Sequence, residues 1–419
     1  MAIVKNKFLV DSIGRIIKTI KDEIFLTADI AKIPPTVEEL RKAVSTYVGS
    51  PIFKLYLLNS DESIKEDISE YVIEDSLSYT HEMKSGQRSS LSVSLVNQNN
   101  EWFPNPVNSR IWAGAKFKYY MGLLCGDDIY WFPRGVYVIN DPSYSYKAGE
   151  KTVSLQLSDK FALIDGTLGG TTETDYKIPL QSSIKGAIES LLKLDTGNGI
   201  PFDVKPIIFP TKYIGNKTPY TIEYNPSQNI GELILEFAEI LSCDVYYNEE
   251  GYLTLEPADE LLAVGNKPVI WQFDEKSMQY TDVTYDVKYT EMINKVTVVG
   301  ANVNAYVFKH TAINTNPQSP SNINMSPIHF KYIADSQIYS DDLCRQRAEY
   351  ELQKGMIFPL SQKFTSVYIP FLQAGNLISW TDSEQGFNDE KFLITSLSVD
   401  SKGRMTLMNT NIRELPFNG

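Results

Sequence analysis

The sequence has few of the residues from which disulfides and metal centres are built. Its 419 residues include three cysteines and three histidines. Cys125, Cys243 and Cys344 lie far apart, form no CxxC pair and have no neighbouring histidine. We therefore expect neither a disulfide framework nor a structural zinc site. This pattern favours a chain that folds in a reducing cytoplasm and needs no cofactor.

Long apolar runs and an excess of positive charge are also missing. No stretch approaches the roughly 18 apolar residues of a membrane-spanning helix, and residues 1–7 do not resemble a cleaved signal peptide. The chain has 52 acidic and 39 basic residues, a net charge of −13. Because phosphate binding requires clustered Lys and Arg, we expect no sequence-specific nucleic acid partner and no membrane anchor.

Motifs that carry enzyme chemistry are scarce. His81, His310 and His329 have no partners at metal-ligand spacing, and no GxSxG nucleophile elbow is present. The glycine-rich segment 166–170 lacks the GK[ST] ending of a phosphate-binding loop, and segment 195–199 lacks the closing Glu of a calcium loop. We therefore predict no catalytic, cofactor-binding or metal-binding residue.

Adjacent acidic residues are the one feature that leaves hydrolysis open, because a glycosidase needs two carboxyl groups about 5–10 Å apart. The visible pairs lie at predicted turns or helix starts, where structural roles suffice: Asp127-Asp128, Glu249-Glu250, Asp341-Asp342 and Asp389-Glu390. Negative charge in the first turn of a helix favours its dipole, which accounts for Asp341-Asp342 without catalysis.

What the sequence does contain is an abundance of aromatic residues and of short alternating strands. It has 25 Tyr and 19 Phe, residues that favour pleated, half-buried surfaces. Leu91–Val96 alternates apolar and polar residues, as a strand with one solvated face does. Further strands are predicted at 116–123, 129–131, 135–139 and 152–157. Their spacing predicts a small barrel or sandwich over residues 70–178.

The second half of the chain adds helices and then returns to strands. Residues 179–265 form a predicted α+β unit, with amphipathic helices at 182–194 and from Ile230, followed by a hairpin over 243–255. Residues 266–419 form a second β-barrel-like domain with an inserted helix near 340–355. Residues 1–69 contain a helix after Pro34-Pro35 and a strand, and their role is open. The predicted fold class is α+β, mainly β, with two small antiparallel β-barrel-like domains and an intervening helix–hairpin unit.

The order of these regions, together with several short motifs, resembles the hub proteins at the distal end of bacteriophage tails and of related contractile machines. No motif is specific alone, and their order carries the likeness over roughly residues 70–415. Asn376 stands where this family has Asp. The segments that carry the resemblance are Ser90–Asn97 followed by Trp102-Phe103-Pro104, Phe132–Ile139, Leu155–Lys160, Asn229–Leu255 and Ile369–Ile378.

The resemblance implies a structural, non-enzymatic protein that works through its surfaces. The family forms a homotrimeric ring that adapts a hexameric tail tube to a threefold central spike. Implied partners are the tail tube or distal tail protein, the central spike or tail lysin, and the tape measure protein. The implied location is the virion tail tip or baseplate, assembled in the host cytoplasm. No cell-wall-cleaving domain is expected beyond residues 417–419, and the interaction residues are unknown.

Two other functions remain open from the sequence. One is a receptor- or glycan-binding tail module that stacks sugars on exposed aromatic residues, in which case Trp102→Ala or Trp112→Ala should weaken sugar binding. The other is a cell-wall hydrolase with an unrecognised carboxylate pair, for which clearing of purified peptidoglycan would be diagnostic.

Overall fold

The protein is mainly β, with twenty-three strands and four α-helices in the part of the chain that the structure describes. None of these helices is both long and apolar enough to cross a lipid bilayer. In this computed structural model the described residues are 8–10, 16–19, 37–46, 51–104, 110–147, 149–171, 175–194, 201–225, 228–257, 267–277, 279–286, 292–303, 305–317, 319, 321–336, 338–356 and 360–411.

The first ten strands and one helix precede residue 160. They are β1 (Phe8–Val10), β2 (Ile16–Thr19), α1 (Val37–Thr46), β3 (Ile52–Leu58), β4 (Ile64–Asp67), β5 (Ser78–Glu82), β6 (Ser89–Val96), β7 (Lys116–Cys125), β8 (Asp128–Ile139), β9 (Ser143–Lys147) and β10 (Glu150–Asp159). β6 buries alternate side chains, which confirms the two-residue period that predicted it.

The middle of the chain forms a small α+β unit with its own core. Its elements are β11 (Tyr176–Ile178), α2 (Ile184–Leu192), β12 (Ile222–Tyr224), α3 (Ile230–Ile240), β13 (Cys243–Tyr247) and β14 (Leu253–Pro257). Ser183 caps α2 and Asn229 caps α3, each through a side-chain oxygen that accepts a backbone N–H. α3 packs on β13, α2 contacts α3, and the apolar faces of both helices share one core with the β13–β14 hairpin.

The remaining elements follow residue 268. They are β15 (Val269–Asp274), β16 (Tyr280–Asp286), β17 (Lys295–Val303), β18 (Tyr306–Ile313), β19 (Phe330–Ala334), α4 (Asp341–Met356), β20 (Ser361–Ser366), β21 (Leu377–Asp382), β22 (Phe387–Val399) and β23 (Met405–Asn411). The helix predicted near 340–355 corresponds to α4. β17, β18 and β19 form a separate three-stranded sheet, which packs on α4 around a third core.

One hydrogen-bonded network of sixteen strands joins the first and last parts of the chain. Its main path runs β16-β20-β23-β22-β5-β6-β10-β8-β7-β3-β4, and β1, β2, β9, β15 and β21 attach to this path. Most of the pairings are antiparallel, and β15–β21 and β1–β8 are parallel. One large core spans both parts, from Leu55 and Phe117 to Trp380 and Leu407.

The mainly β fold is confirmed, but the strand pairing differs from the two separate β-barrel-like domains that the sequence suggested. Among the described strands the pairings form no closed ring, and the two β regions meet at β5. This strand pairs with β6 on one side and with β22 on the other. An edge strand leaves backbone N–H and C=O groups unpaired. Here β5 of the first β region and β22 of the second pair these groups with each other.

The opening segment contributes to the same sheet and core. β3 pairs with β7 from Ile52 to Leu57, and α1 buries Leu40 and Val44 against the large core. Pro34-Pro35, which precede this helix, lie outside the described residues. The boundaries drawn at 69, 178 and 265 remain a prediction.

Candidate functional site

A cleft of about 300 Å³ lies where three distant parts of the chain meet. Its walls come from β5 and β8 of the first β region, from the β13–β14 hairpin and from residues 373–377 ahead of β21. His81 is the one predicted candidate histidine that lines it. The cleft lies beside the β5–β22 junction, so its shape depends on how the two β regions and the middle unit fit together.

A buried guanidinium forms one wall of the cleft. Arg134 is 3% exposed, and its Nη1 donates a hydrogen bond to Oε1 of Gln373 at 3.3 Å. Its Nε and Nη2 have no hydrogen-bond partner, and no carboxylate among the described residues forms an ion pair with it. A buried cation with so few partners keeps much of its desolvation penalty. Arg134 therefore makes this wall electropositive.

The imidazole of His81 is neutral in this setting. Burial lowers its pKa to about 3, and the positive charges of Arg88 and Arg134 add to the effect. Its Nδ1 accepts a hydrogen bond from the backbone N–H of Ala374 at 3.2 Å, which leaves Nε2 as the protonated nitrogen. Through this hydrogen bond His81 joins β5 to the segment ahead of β21. Because its protonated form is so strongly disfavoured, His81 is poorly suited to general base catalysis at neutral pH.

Arg88 also lines the cleft, and several contacts fix the position of its side chain. Its guanidinium lies 3.4 Å from the centre of the Tyr246 ring and 3.3 Å from Oδ2 of Asp244. Its backbone N–H donates to Asp159 at 2.7 Å. Burial raises the pKa of Asp159 to about 6, although the N–H groups of Ser89, Phe161 and Arg88 oppose that rise.

A second cluster of charges lies at the junction of the opening segment, the first β region and the middle unit. Lys160 is fully buried, and its Nζ lies 2.7 Å from Glu62 Oε1 and 2.6 Å from Asp203 Oδ1. The same Nζ donates to the carbonyl oxygen of Gly251 at 3.1 Å. One ammonium group thus links three segments that are far apart in the sequence.

Further lysines surround this centre. Lys116 lies 2.9 Å and Lys205 3.2 Å from Glu62, and Lys118 pairs with Glu250 at 3.0 Å. Burial opposes ionisation of Glu62, but Lys160 and Lys116 overcome it and lower its pKa to about 2. Each charge in this cluster has an opposite partner, which is the arrangement of a structural joint.

The other predicted candidate residues are dispersed. His310 lies on β18 within electrostatic reach of Asp341, and His329 directly precedes β19. Asp341 accepts hydrogen bonds from Tyr306 and from the backbone of Lys309 at the start of α4. The described residues contain no group of three His, Cys, Asp or Glu side chains placed to hold a metal ion. The calcium candidate at 195–199 lies outside the described residues.

Four of the five tryptophans pack into the interior. Trp102, Trp131, Trp271 and Trp380 are each at most 3% exposed, whereas Trp112 is 55% exposed. Trp102 donates its indole N–H to the carbonyl of Val96, as a core residue does. A sugar-stacking surface at Trp102 is therefore excluded, and of the five tryptophans Trp112 alone keeps that possibility.

Sequence reasoning missed both Arg134 and Lys160 as centres of interaction. Arg134 lies within a segment that carried the family resemblance, and Lys160 ends another, but neither has an unusual local neighbourhood. Lys160 lies 98 residues from Glu62 and 43 from Asp203 along the chain. Only the folded chain brings these charges together.

The fold is similar to those of tail proteins over most of its length. The 43 kDa tail protein of prophage MuSo2 from Shewanella oneidensis superimposes with a TM-score of 0.55 at 14% identity, covering 86% of this chain and 97% of that chain. The tail protein from Neisseria meningitidis MC58 gives a TM-score of 0.59 at 10% identity, covering 87% and 97%. This chain has a phage tail-protein fold.

The same fold occurs outside phage tails. A chain of the Francisella PdpA-VgrG complex superimposes with a TM-score of 0.51 at 11% identity, over 88% of this chain and 60% of that one. No family model and no curated protein matches the sequence. The tail-protein fold is therefore visible in the backbone arrangement and hardly at all in the residues themselves.

Proposed function

We propose that this chain is a structural hub of a phage tail tip or baseplate. The observation that carries the proposal is the extent of the fold similarity, which takes in 97% of each of the two tail proteins. A likeness that spans nearly the whole of both chains indicates a shared architecture and not one common domain. The hub acts through its surfaces and without a catalytic step.

In this proposal the hub is a homotrimeric ring. Two β regions per chain present six similar units to a hexameric tail tube on one face, and the ring presents threefold symmetry to a central spike on the other. A distal tail protein, a tail lysin and the tape measure protein are further proposed partners, and the proposed location is the virion. The Francisella chain with this fold occurs in a complex with a second protein, which supports an assembly role.

The buried charge clusters support a rigid subunit. A ring that adapts one symmetry to another needs its parts in a constant relative orientation. Lys160 links the first β region to the middle unit, and the large core extends from one β region into the other. These features serve orientation and do not supply a reaction.

Light scattering of the purified protein across a range of concentrations tests the ring. We expect a stable species at three times the subunit mass of 47.4 kDa. Imaging of that species should show threefold symmetry and a central channel. A monomer at every concentration, or a dimer, would contradict the trimeric hub.

A further inference from the structure

One face of the three-stranded sheet β18-β17-β19 has no covering element among the described residues. Its inner face packs on α4 through Val296, Val298 and Ala312. α4 in turn contacts the middle unit, where Arg347 lies 3.4 Å from Glu239 of α3. The opposite face, which we call the outer face, therefore points away from the rest of the chain.

The outer face is apolar and aromatic. Strand register places Ile313, Lys295 and Phe330 in one row across it and Tyr332 in the next. Ile313, Phe330 and Tyr332 are 42%, 52% and 59% exposed. Large side chains clustered at this level of exposure are uncommon on monomeric surfaces and mark interaction sites.

The approach to β19 extends this patch, and the sheet has open edges. Met325 and Ile328, which precede β19, are 74% and 63% exposed. In the described part of the chain β18 and β19 pair with no strand other than β17, so each has one edge without a partner strand, although the N–H of Lys309 on the β18 edge donates to Asp341. Exposed edges of this kind are usually covered by a partner or blocked by charge.

The charge of this sheet is opposite to that of the chain. Residues 295–334 contain Lys295, Lys309 and Lys331 and not one Asp or Glu, whereas the whole chain carries −13. Lys331 pairs with Glu351 of α4 on the inner side. Lys295 and Lys309 lie on the outer face by register, and among the described residues no carboxylate forms an ion pair with either ammonium group. A partner that fits this face carries carboxylates that can reach Lys295 and Lys309 between the exposed apolar side chains.

A matching acidic surface exists on the same chain. The turn after β15 and the β21–β22 hairpin are joined by Glu275, which accepts hydrogen bonds from Ser383 N at 3.0 Å and from Ser383 Oγ at 2.8 Å. We call this surface the acidic tip, and its carboxylates are Asp274, Glu275, Asp382, Glu384, Asp389 and Glu390. Its only lysines are Lys276 and Lys391.

We propose that the outer face of one chain binds the acidic tip of a second copy. The inference rests on the proposed ring and names the surfaces that form it. Because the two surfaces differ, a pair of chains that makes one such contact still has an unoccupied outer face on one chain and an unoccupied acidic tip on the other. Such a head-to-tail interface either closes into a ring or grows without limit. Closure after three chains gives the trimer.

Charge reversal tests this pairing. Lys295→Glu with Lys309→Glu should raise the trimer dissociation constant at least 100-fold, because like charges facing each other across an interface cost several kcal/mol. Glu384→Lys with Asp389→Lys should weaken the trimer similarly, and these changes leave the contact between Glu275 and Ser383 in place. The four changes combined restore opposite charges and should recover the trimer. The matched control, Lys147→Glu with Lys402→Glu, changes the net charge equally at exposed sites outside both surfaces.

Light scattering and sedimentation velocity report the mass of each variant, and thermal unfolding reports its folding. If the wild-type protein trimerises and the outer-face reversal leaves that trimer intact, the surfaces are wrong and the ring stands. If the outer-face reversal abolishes the trimer and the variant with all four substitutions does not recover it, the acidic tip does not bind the outer face. A monomeric wild-type protein overturns the ring and this inference together.

Discussion

Replacing Lys160 by Met should lower the free energy of unfolding by about 3–5 kcal/mol, the usual cost of removing one partner from a buried ion pair. Methionine keeps the length and the apolar stem of the side chain but removes the charge. The side chain of Asp203 is fully buried and loses Lys160, at 2.6 Å the one cation that forms an ion pair with it among the described residues. Glu62 suffers less because Lys116 and Lys205 remain at 2.9 and 3.2 Å.

Urea unfolding followed by tryptophan fluorescence, at one fixed protein concentration, measures this change. Adding Asp203→Asn to the variant removes the stranded charge and should recover about 2 kcal/mol, near the cost of one unpaired buried polar group. Lys185→Met is the matched control. Its partner Glu189 is a partly exposed neighbour one helical turn away, so the loss should stay below about 0.5 kcal/mol.

A loss below about 1 kcal/mol for the Lys160→Met variant at pH 7 would refute the view that Lys160 neutralises a buried carboxylate at this joint.

Two further predictions concern single side chains. Trp102→Ala should destabilise the protein by about 3–5 kcal/mol in thermal or urea unfolding because it leaves a cavity in the core. Trp112→Ala, at an exposed position, should change stability by less than about 0.5 kcal/mol. Equal effects of the two substitutions would contradict the burial of Trp102. His81 has a folded pKa of about 3, below the unfolded value of about 6.5, so the stability that it contributes is full above pH 6.5 and is lost as the pH falls toward 3. His81→Asn should therefore flatten the dependence of the urea midpoint on pH between 6.5 and 4, and an unchanged slope would contradict a neutral imidazole at this position.

The middle unit was predictable because its signals are local. The predicted helix at 182–194 corresponds to α2 with its Ser183 cap, and the second predicted helix corresponds to α3 with its Asn229 cap. The hairpin over 243–255 pairs as β13 and β14. Apolar residues at helical spacing, a capping side chain and a turn sequence all act within a few residues, so the sequence displays them directly.

The joining of the two β regions was not predictable in the same way. β5 reads as a short polar strand, and its partner in β22 lies more than 300 residues further along the chain. A two-residue period says that one face of a strand is buried but does not say which edge is paired. The cleft has the same origin, because Arg134, His81 and Gln373 become neighbours only through that pairing.

The strand β5 also determines how a mechanical load crosses this subunit. Its four residue pairs with β22, from Tyr79↔Val399 to Glu82↔Ser396, form a backbone ladder between the two β regions. A pull along the strands stretches all of these hydrogen bonds at once, whereas a pull on a flexible linker first takes up slack. A force applied to one β region would therefore be transmitted to the other through this ladder with little loss, and the chain would respond as one stiff unit.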